Sequence, residues 1–559
     1  MKLSTEPMAA ISPAVTPVAP APRLSAWVVA LLVLAYALPG ILGHDPWKPD
    51  EPYTFGAVLD MLKSGDWVVP TVTGSPFVEK PPLFFWLASA TASLASPLLP
   101  LHDGARLASL LCLLASVGAT AGAARLCWGD GAGALAALLY LSALGLEGHA
   151  QRLQVDLALL AGFSLALLGF AACIRDRRWG GVALGAGIGA GFLAKGLFAP
   201  AVIGITALLL PLFFKQWRTR RYAMHLLQAF AIAVPALLIW PLALHERSEA
   251  LFREWLNNNF GRFNGYYLPG AVSEQGVWSG SLAWVLFPLW AYAAVAIAVE
   301  RRKGWFQPGM QIGFTMAFVA ALVLAISASM RAIYVLPLIA PLALASVAAL
   351  LRRPEGVLER GFGLASIVLA AAGSLLVWWA WAMLVIEGRI PEWFPFSGYL
   401  PSEFAMTVSI LPIVAALVLS AGFAALVVFR RRLSAPSLAI WVGSIACVWG
   451  LAHTLWLPWL DAAKGYRALF SEIAMQLPPG TRCIVTAGVG ESERAMIDYY
   501  VGVMPRPRAS NRQDDCPALL LQVRKHRDRE PPATDTWRAI WQGARRGDAK
   551  ESFILYLRR

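Results

Sequence analysis

Long apolar runs separated by short polar breaks dominate the first 460 residues. Runs of roughly 17–25 apolar residues match a hydrocarbon core about 30 Å thick. They fall near 24–43, 83–100, 104–126, 131–148, 155–173, 180–194, 196–214, 224–244, 280–299, 311–329, 332–351, 361–385, 407–429 and 437–457. The run 83–100 is the weakest span: it opens after Pro81-Pro82, contains Pro97 and Pro100, and runs into His102 and Asp103. It reads as an interfacial or re-entrant helix, which leaves about thirteen transmembrane helices. Beyond residue 457 the pattern shortens. Cys483-Ile-Val-Thr-Ala, Ala518-Leu-Leu-Leu-Gln-Val and Ser552-Phe-Ile-Leu-Tyr-Leu read as strands, with helices near 490–500 and 535–545 between them, a small α/β domain.

Composition agrees with this division. The chain is 58% hydrophobic and 14% charged, with 23 Trp, against about a quarter charged for a soluble globular domain. About 29 of its 81 charged side chains lie in residues 461–559. The expected fold class is therefore an all-α polytopic membrane protein with a C-terminal α/β domain. Residues 1–23 form a disordered cytoplasmic N-terminus, 24–457 the membrane module and 458–559 the soluble domain. A signal peptide over 1–43 is the competing reading, but the run is of spanning length and lacks a clear cleavage site.

The net charge of +13 would suggest nucleic acid in a soluble protein. Here it is orientation charge, because the basic blocks sit in every second loop: Arg175/Arg177/Arg178, Lys215/Arg218/Arg220/Arg221, Arg301/Arg302/Lys303, Arg352/Arg353/Arg360 and Arg430/Arg431/Arg432. Such blocks face the cytoplasm. No nucleic-acid partner is expected. With thirteen spans, loops 44–103, 245–279 and 386–406 and the C-terminal domain then lie outside, in a bacterium the periplasm. Cys112, Cys127, Cys173 and Cys447 fall in membrane segments, and Cys483 and Cys516 are the one pair in an oxidising compartment. A disulfide there depends on geometry that sequence does not supply.

The first outer loop carries specific polar residues: Asp50-Glu51-Pro52-Tyr53, then Gly65-Asp66-Trp67-Val68-Val69-Pro70, then Glu79-Lys80-Pro81-Pro82. The carboxylate pair suits sugar orientation, proton abstraction or cation binding; equally, Asp-Glu-Pro suits a helix start. Asp156 follows Arg152 by four residues, which fits either an i,i+4 ion pair or a carboxylate facing a cleft, and Lys195 at an outer turn has the same two readings. The small residues Gly181, Gly185, Gly189 and Ala190 lie inside a span and read as close helix packing rather than a nucleotide loop.

The run from Asp50 through Gly-Asp-Trp-Val-Val-Pro to Glu79-Lys80-Pro81-Pro82 resembles the first periplasmic loop of the 4-amino-4-deoxy-L-arabinose (L-Ara4N) lipid A transferases, GT-C glycosyltransferases related to the protein O-mannosyltransferases. Arg152-Leu-Gln-Val-Asp156, Asn259-Phe-Gly-Arg262-Phe and Ser329-Met-Arg331-Ala-Ile-Tyr334 look like the family's later outer-loop motifs. Where family members often carry Asp-Glu-x-Arg-Tyr, this chain has Asp-Glu-Pro-Tyr-Thr, so the role of that arginine does not transfer.

The resemblance implies a GT-C fold with a periplasmic C-terminal domain in the bacterial inner membrane. It also implies transfer of aminoarabinose from undecaprenyl phosphate to a lipid A phosphate, with resistance to polymyxin-type peptides as the consequence. Asp50 and Asp156 are the expected catalytic residues. Lys80, Arg262, Arg331 and Tyr334 would hold the donor phosphate and lipid, Arg being suited to bidentate and Lys to point-charge contact. Lys80 also fits a snorkelling anchor, and Tyr334 an interfacial belt. Glu51, Tyr53, Glu79 and Arg152 would line the substrate cavity. No cofactor is expected to be required; a divalent cation on Glu79 is the one metal reading, without a ligand cluster beside it. The expected partners are the donor lipid, lipid A or lipopolysaccharide and membrane lipids, around a monomer. A sister transferase of another polyprenyl-linked sugar is the nearest alternative. A flippase or transporter would show charges near span centres and broken-helix repeats, which the chain lacks.

Overall fold

The computed structural model describes residues 25–264, 280–300, 307–327, 331–352, 355–391, 393, 404–508, 516–524, 536–545 and 551–559. The N-terminal half runs α1 (Ala26–Ala37), α2 (Glu51–Ser64), the hairpin β1 (Thr71–Val72) and β2 (Ser75–Pro76), α3 (Leu83–Ala95), α4 (Leu101–Trp128), α5 (Ala132–Leu141), α6 (Leu144–Ala150), α7 (Asp156–Ile174), α8 (Gly180–Lys195), α9 (Phe198–Phe213), α10 (Arg220–Arg247) and α11 (Glu249–Asn264). There follow α12 (Leu282–Val285), α13 (Leu289–Glu300), α14 (Pro308–Ala325), a 3-10 turn over Ala332–Leu338 leading into α15 (Ile339–Arg352), α16 (Val357–Glu387), α17 (Ile410–Phe429) and α18 (Pro436–Leu455).

Among the described residues eight helices are long and apolar enough to cross a bilayer, and nine crossings result if α5 and α6, bent by 75°, count as one. Helices α1, α3, α8, α9 and α13 are apolar but shorter. The expected run 24–43 forms a helix of 12 residues that stops before Pro39-Gly40, and the run 280–299 is interrupted between α12 and α13. Helix α3 has 13 residues, about 20 Å of rise. Residues around Ser329 and the block Arg301/Arg302/Lys303 lie outside the described residues, as does Arg353.

Interior helices pack through their small residues. A Cβ on Gly162 of α7 would come within 2.7 Å of the Gly191 nitrogen on α8. On the other face of α8, Cβ atoms on Gly181 and Gly185 would overlap carbonyl oxygens of α10, and one on Gly189 would meet Ala236 at 2.9 Å. The glycine stripe is a packing face, as its place inside a span implies. Helices α10, α16 and α17 bury only 22%, 17% and 6% of their apolar windows, which leaves side chains such as Leu227, Leu369 and Val418 for lipid.

Beyond α18 come α19 (Leu457–Lys464), α20 (Arg467–Gln476), β3 (Cys483–Ala487), α21 (Glu491–Tyr500), β4 (Met504–Pro507), β5 (Ala518–Arg524), β6 (Trp537–Gly543) and β7 (Glu551–Arg558). The sheet order is β4-β3-β5-β7-β6, parallel across β4-β3-β5 and antiparallel across β5-β7-β6. Residues 535–545 are thus not helical where they are described. Trp537–Gly543 is an edge strand whose ladder to β7, with an irregularity between Ala539 and Trp541, overrides local propensity. Cys483 and Cys516 are disulfide-bonded, with Cα atoms 5.3 Å apart.

The sheet domain sits directly on the first loop. Helix α21 packs on α2 so closely that a Cβ on Gly56 would lie 2.5 Å from the Ala495 side chain. Phe55 meets Tyr499 edge to face at 4.8 Å. Lys63 pairs with Asp498 at 2.7 Å, and Ser492 donates to the Pro49 carbonyl at 3.1 Å. Lys48 pairs with Glu493 at 3.0 Å and also with Glu551. The sheet and its helices therefore hold both ends of the segment that carries Asp50.

Candidate active site

Asp50 sits at the N-cap of α2 but makes no side-chain cap hydrogen bond. Its carboxylate turns instead to the motif between α6 and α7. Oδ1 accepts from the Tyr53 hydroxyl at 3.2 Å and Oδ2 from the Gln154 amide at 3.3 Å. Gln154 in turn meets His149 Nδ1 at 2.9 Å. The Tyr53 ring lies 5.4 Å from Phe77, and burial, followed by the charges of Asp50 and Asp156, pushes its hydroxyl well above the ordinary tyrosine range. Tyr53 thus stays protonated and donates a hydrogen bond to Asp50.

Asp156 begins α7, where the helix dipole favours an anion, and it pairs with Lys195, the last residue of α8, where the dipole favours a cation. Of the two readings of Asp156, the i,i+4 pair with Arg152 does not form. Arg152 lies in the turn before α7, where the helical four-residue spacing does not apply, and its carbonyl accepts from Ser109 at 2.7 Å. The Lys195 ammonium also lies 4.2 Å from the centre of the Tyr334 ring, a cation–π contact. Asp156, Lys195 and Tyr334 therefore meet, and the charge of Lys80 falls on Asp156 as well. Asn259 fits over Gly196, which has φ +75 and no room for a Cβ, and accepts from Leu197 N at 3.4 Å. That contact docks α11 beside Lys195. Arg262 lies in the same helix one turn further on, and its side chain is outside the described residues.

Lys80 is largely buried, at 12% side-chain exposure, while Glu79 beside it is 44% exposed with an oxygen 3.9 Å from Nζ. Across the loop Glu79 raises the carboxyl of Glu491, whose shift comes first from burial. Among the described residues no group of three or more His, Cys, Asp or Glu side chains comes together as a metal cage. Arg331, half-buried, opens the 3-10 turn that carries Tyr334.

Glu51 differs from expectation. It does not face a cavity: it is 1% exposed, and its oxygens accept from Arg106 Nε at 3.0 Å, Leu153 N at 2.9 Å and Trp47 N at 2.9 Å. Arg106, also 1% exposed, further donates to Asp103 at 2.6 Å and to the Asp45 carbonyl at 2.8 Å. Burial alone would raise the Glu51 carboxyl, but the Arg106 guanidinium and two backbone N–H groups hold it down at about 2. Asp45 continues the network to Arg467 at 3.0 Å and to Asp461, which accepts from Asp45 N at 2.8 Å and Trp47 Nε1 at 2.9 Å. Glu51 therefore fastens three segments together and sets where Asp50 and Gln154 stand.

Sequence reading passed over Gln154, His149 and Arg106. Gln154 lies inside the Arg152-Asp156 motif, and Arg106 is an ionisable residue in an apolar run, itself a signal. The resulting cluster has two carboxylates, one hydrogen-bonded by neutral donors and one neutralised by a lysine, with Lys80 close by. Such a site can hold an anionic leaving group and orient a polar acceptor.

Residues 79–240 match the model of the dolichyl-phosphate-mannose-protein mannosyltransferase family. An undecaprenyl phosphate-alpha-4-amino-4-deoxy-L-arabinose arabinosyl transferase of Pseudomonas aeruginosa is 29% identical over 447 residues, 75% of each chain. An undecaprenyl phosphate-alpha-4-amino-4-deoxy-L-arabinose arabinosyl transferase 2 of Pseudomonas fluorescens is 30% identical over 48% of each chain. The crystal structure of ArnT from Cupriavidus metallidurans bound to undecaprenyl phosphate superposes with a TM-score of 0.67 at 19% identity, over 95% of this chain and 97% of that one. The matched mannosyltransferase segment and the relatives aligned over three quarters of the sequence agree with the shared fold: the chain is similar to the aminoarabinose transferases over most of its length.

Proposed function

We propose that the protein is a multi-pass inner-membrane glycosyltransferase that moves 4-amino-4-deoxy-L-arabinose from undecaprenyl phosphate to a phosphate of lipid A at the periplasmic face. The observation that carries this reading is the convergence of Asp50, Tyr53, Gln154, Asp156, Lys195 and Tyr334 beside Lys80. The names of the relatives supply the sugar and the carrier lipid.

Eight long helices and the bent pair α5/α6 supply nine crossings among the described residues, and thirteen spans follow in this reading if α1, α8, α9 and α13 cross as well while α3, which opens after Pro81-Pro82, stays at the interface. An odd number of spans is consistent with an α/β domain outside, and the Cys483–Cys516 disulfide, which suits an oxidising compartment, supports that side.

In the reaction the donor's glycosidic C–O bond breaks, and its phosphate leaves with the bonding electrons. Lys80, with Arg262 and Arg331, supplies the cations that balance this charge. An oxygen of the lipid A phosphate attacks the freed anomeric carbon. A phosphomonoester has its second pKa near 6, so this nucleophile needs little deprotonation. Asp50, held by Tyr53 and Gln154, orients the acceptor or pairs with the ammonium of the aminosugar, and Asp156 and Lys195 shape the opposite wall. The product carries a cationic sugar on a formerly anionic phosphate, which weakens the attraction for cationic peptides such as polymyxin.

Mass spectrometry of lipid A from cells with and without the gene tests this reading. Loss of the aminoarabinose adduct is expected on deletion. Unchanged lipid A together with an altered glycoprotein would favour the second reading, transfer of another polyprenyl-linked sugar, which the mannosyltransferase match over residues 79–240 keeps in view.

A further inference from the structure

The C-terminal sheet has a crevice outside the carboxyl ends of β3 and β4. The chain leaves β3, passes through α21 to β4 on one side, and later places β5 on the other. Parallel strands that diverge in this way open a cleft at their carboxyl ends, the usual ligand position in open α/β sheets. Here the cleft has a volume of about 420 Å³ and is lined by Thr486, Gly488, Arg494, Pro507, Arg508 and Leu521.

Its lining carries two arginines and no carboxylate, and the nearby Glu491 feels the charge of Arg494. The Nε of Arg494 is buried without a hydrogen-bond partner, and among the described residues the guanidinium's one hydrogen bond is a 3.4 Å donation to the Val489 carbonyl. Among the described residues neither Arg494 nor Arg508 lies in an ion pair. A buried guanidinium donor left without an acceptor is costly. A bound anion would relieve that cost, and arginine's planar fork matches phosphate oxygens.

The crevice is also placed near the chemistry. Ser492 holds α21 to Pro49, the residue before Asp50. Two positions later on a helix is roughly 200° around the axis, so Arg494 turns away from that contact toward the crevice. Glu491, in the same turn, senses Glu79 of the first loop. A headgroup with two phosphates separated by sugar rings therefore has one landing point in the site beside Asp50, where Lys80 and Lys195 lie, and a second on the far side of α21.

We propose that this crevice is an acceptor subsite, in which Arg494 and Arg508 bind a phosphomonoester of the acceptor glycolipid other than the one that receives the sugar. The proposal deepens the function given above and rests on it.

The test uses the full-length protein in nanodiscs, the double variant R494Q/R508Q, and two acceptors: lipid A with both phosphates, and lipid A with only the phosphate that is modified. The variant is expected to raise KM for the bisphosphorylated acceptor roughly tenfold or more, the effect of losing charge-assisted contacts. Its kcat, its KM for the donor and its KM for the monophosphorylated acceptor stay unchanged, and R494K/R508K recovers part of the loss. An unchanged KM, or an equal rise for both acceptors, overturns the proposal. Direct binding of the two lipids, measured without donor, separates this outcome from a failure of the transferase reading: with no transfer detected, preferential arginine-dependent binding of the bisphosphorylated lipid still supports the subsite. Inorganic phosphate that binds wild type as tightly as the bisphosphorylated lipid does would make the crevice a free-ion site and overturn it.

Discussion

Replacing Glu51 by Gln removes one charge and changes little in shape. The side chain is 1% exposed and accepts three hydrogen bonds, from Arg106, Leu153 and Trp47. A Gln amide keeps one oxygen and turns an NH₂ group toward a buried donor, so one charge-assisted bond of about 1.5–3 kcal/mol is lost and one N–H is left unsatisfied. Removing one partner of a buried pair costs about 3–5 kcal/mol. Asp103, 2.6 Å from Arg106, still neutralises the arginine, which puts the expectation at the lower end, about 3 kcal/mol.

Linkage gives a similar figure. Held at about 2 in the fold against an ordinary 4.5, the carboxyl contributes roughly 3 kcal/mol at neutral pH. Because the folded value is depressed, that stability is present above pH 4.5 and is lost as pH falls through 2. Denaturant unfolding in detergent micelles, followed by Trp fluorescence at several pH values, should show the gap between wild type and Glu51→Gln narrowing with acid. A double-mutant cycle with Arg106→Gln should show a coupling of about 2 kcal/mol or more. A midpoint shift equivalent to less than about 0.5 kcal/mol at pH 7, or a gap independent of pH, would refute the reasoning. Transfer should slow as well, because Leu153 adjoins the Gln154 that holds Asp50.

Other outcomes follow from the same geometry. Lys195→Ala should lower kcat/KM by about 10²–10³-fold, the scale for removing one group that stabilises charge in a site, and Asp156→Asn combined with it should be little worse than either alone in steady-state transfer assays. Asp50→Asn retaining full transfer to purified lipid A would remove both roles given to Asp50. Burial and the nearby Asp45 push Asp461 up to about 6. A raised carboxyl contributes stability below about pH 4 that is lost as pH rises through 6, so Asp461→Asn should gain stability relative to wild type between pH 4 and 7 in thermal unfolding. Cys483→Ser opens a 33-residue loop, and loop-closure entropy puts the loss at about 3–4 kcal/mol, measurable as earlier unfolding that reductant reproduces in wild type.

Periodicity and charge by themselves determined the membrane module, its basic loops and the strands at Cys483, Ala518 and Ser552. Those features are local: a spanning helix must be apolar along its length, and a strand core reads as a short apolar run. Asp50, Asp156 and Tyr334 stood out through the resemblance of their motifs to the family's, in a chain where charged and polar residues are few. Tertiary structure decided how they pair. Asp156 takes Lys195, 39 positions away, rather than Arg152, and Glu51 takes Arg106 and becomes a strut rather than a cavity wall. Partners brought together by folding leave no periodic trace in sequence. The strand at Trp537–Gly543 exists because β7 offers it a ladder, and the crevice at Arg494 exists because β4 and β5 lie on opposite sides of β3. Both depend on the order of strands in space, which the order of residues along the chain does not specify.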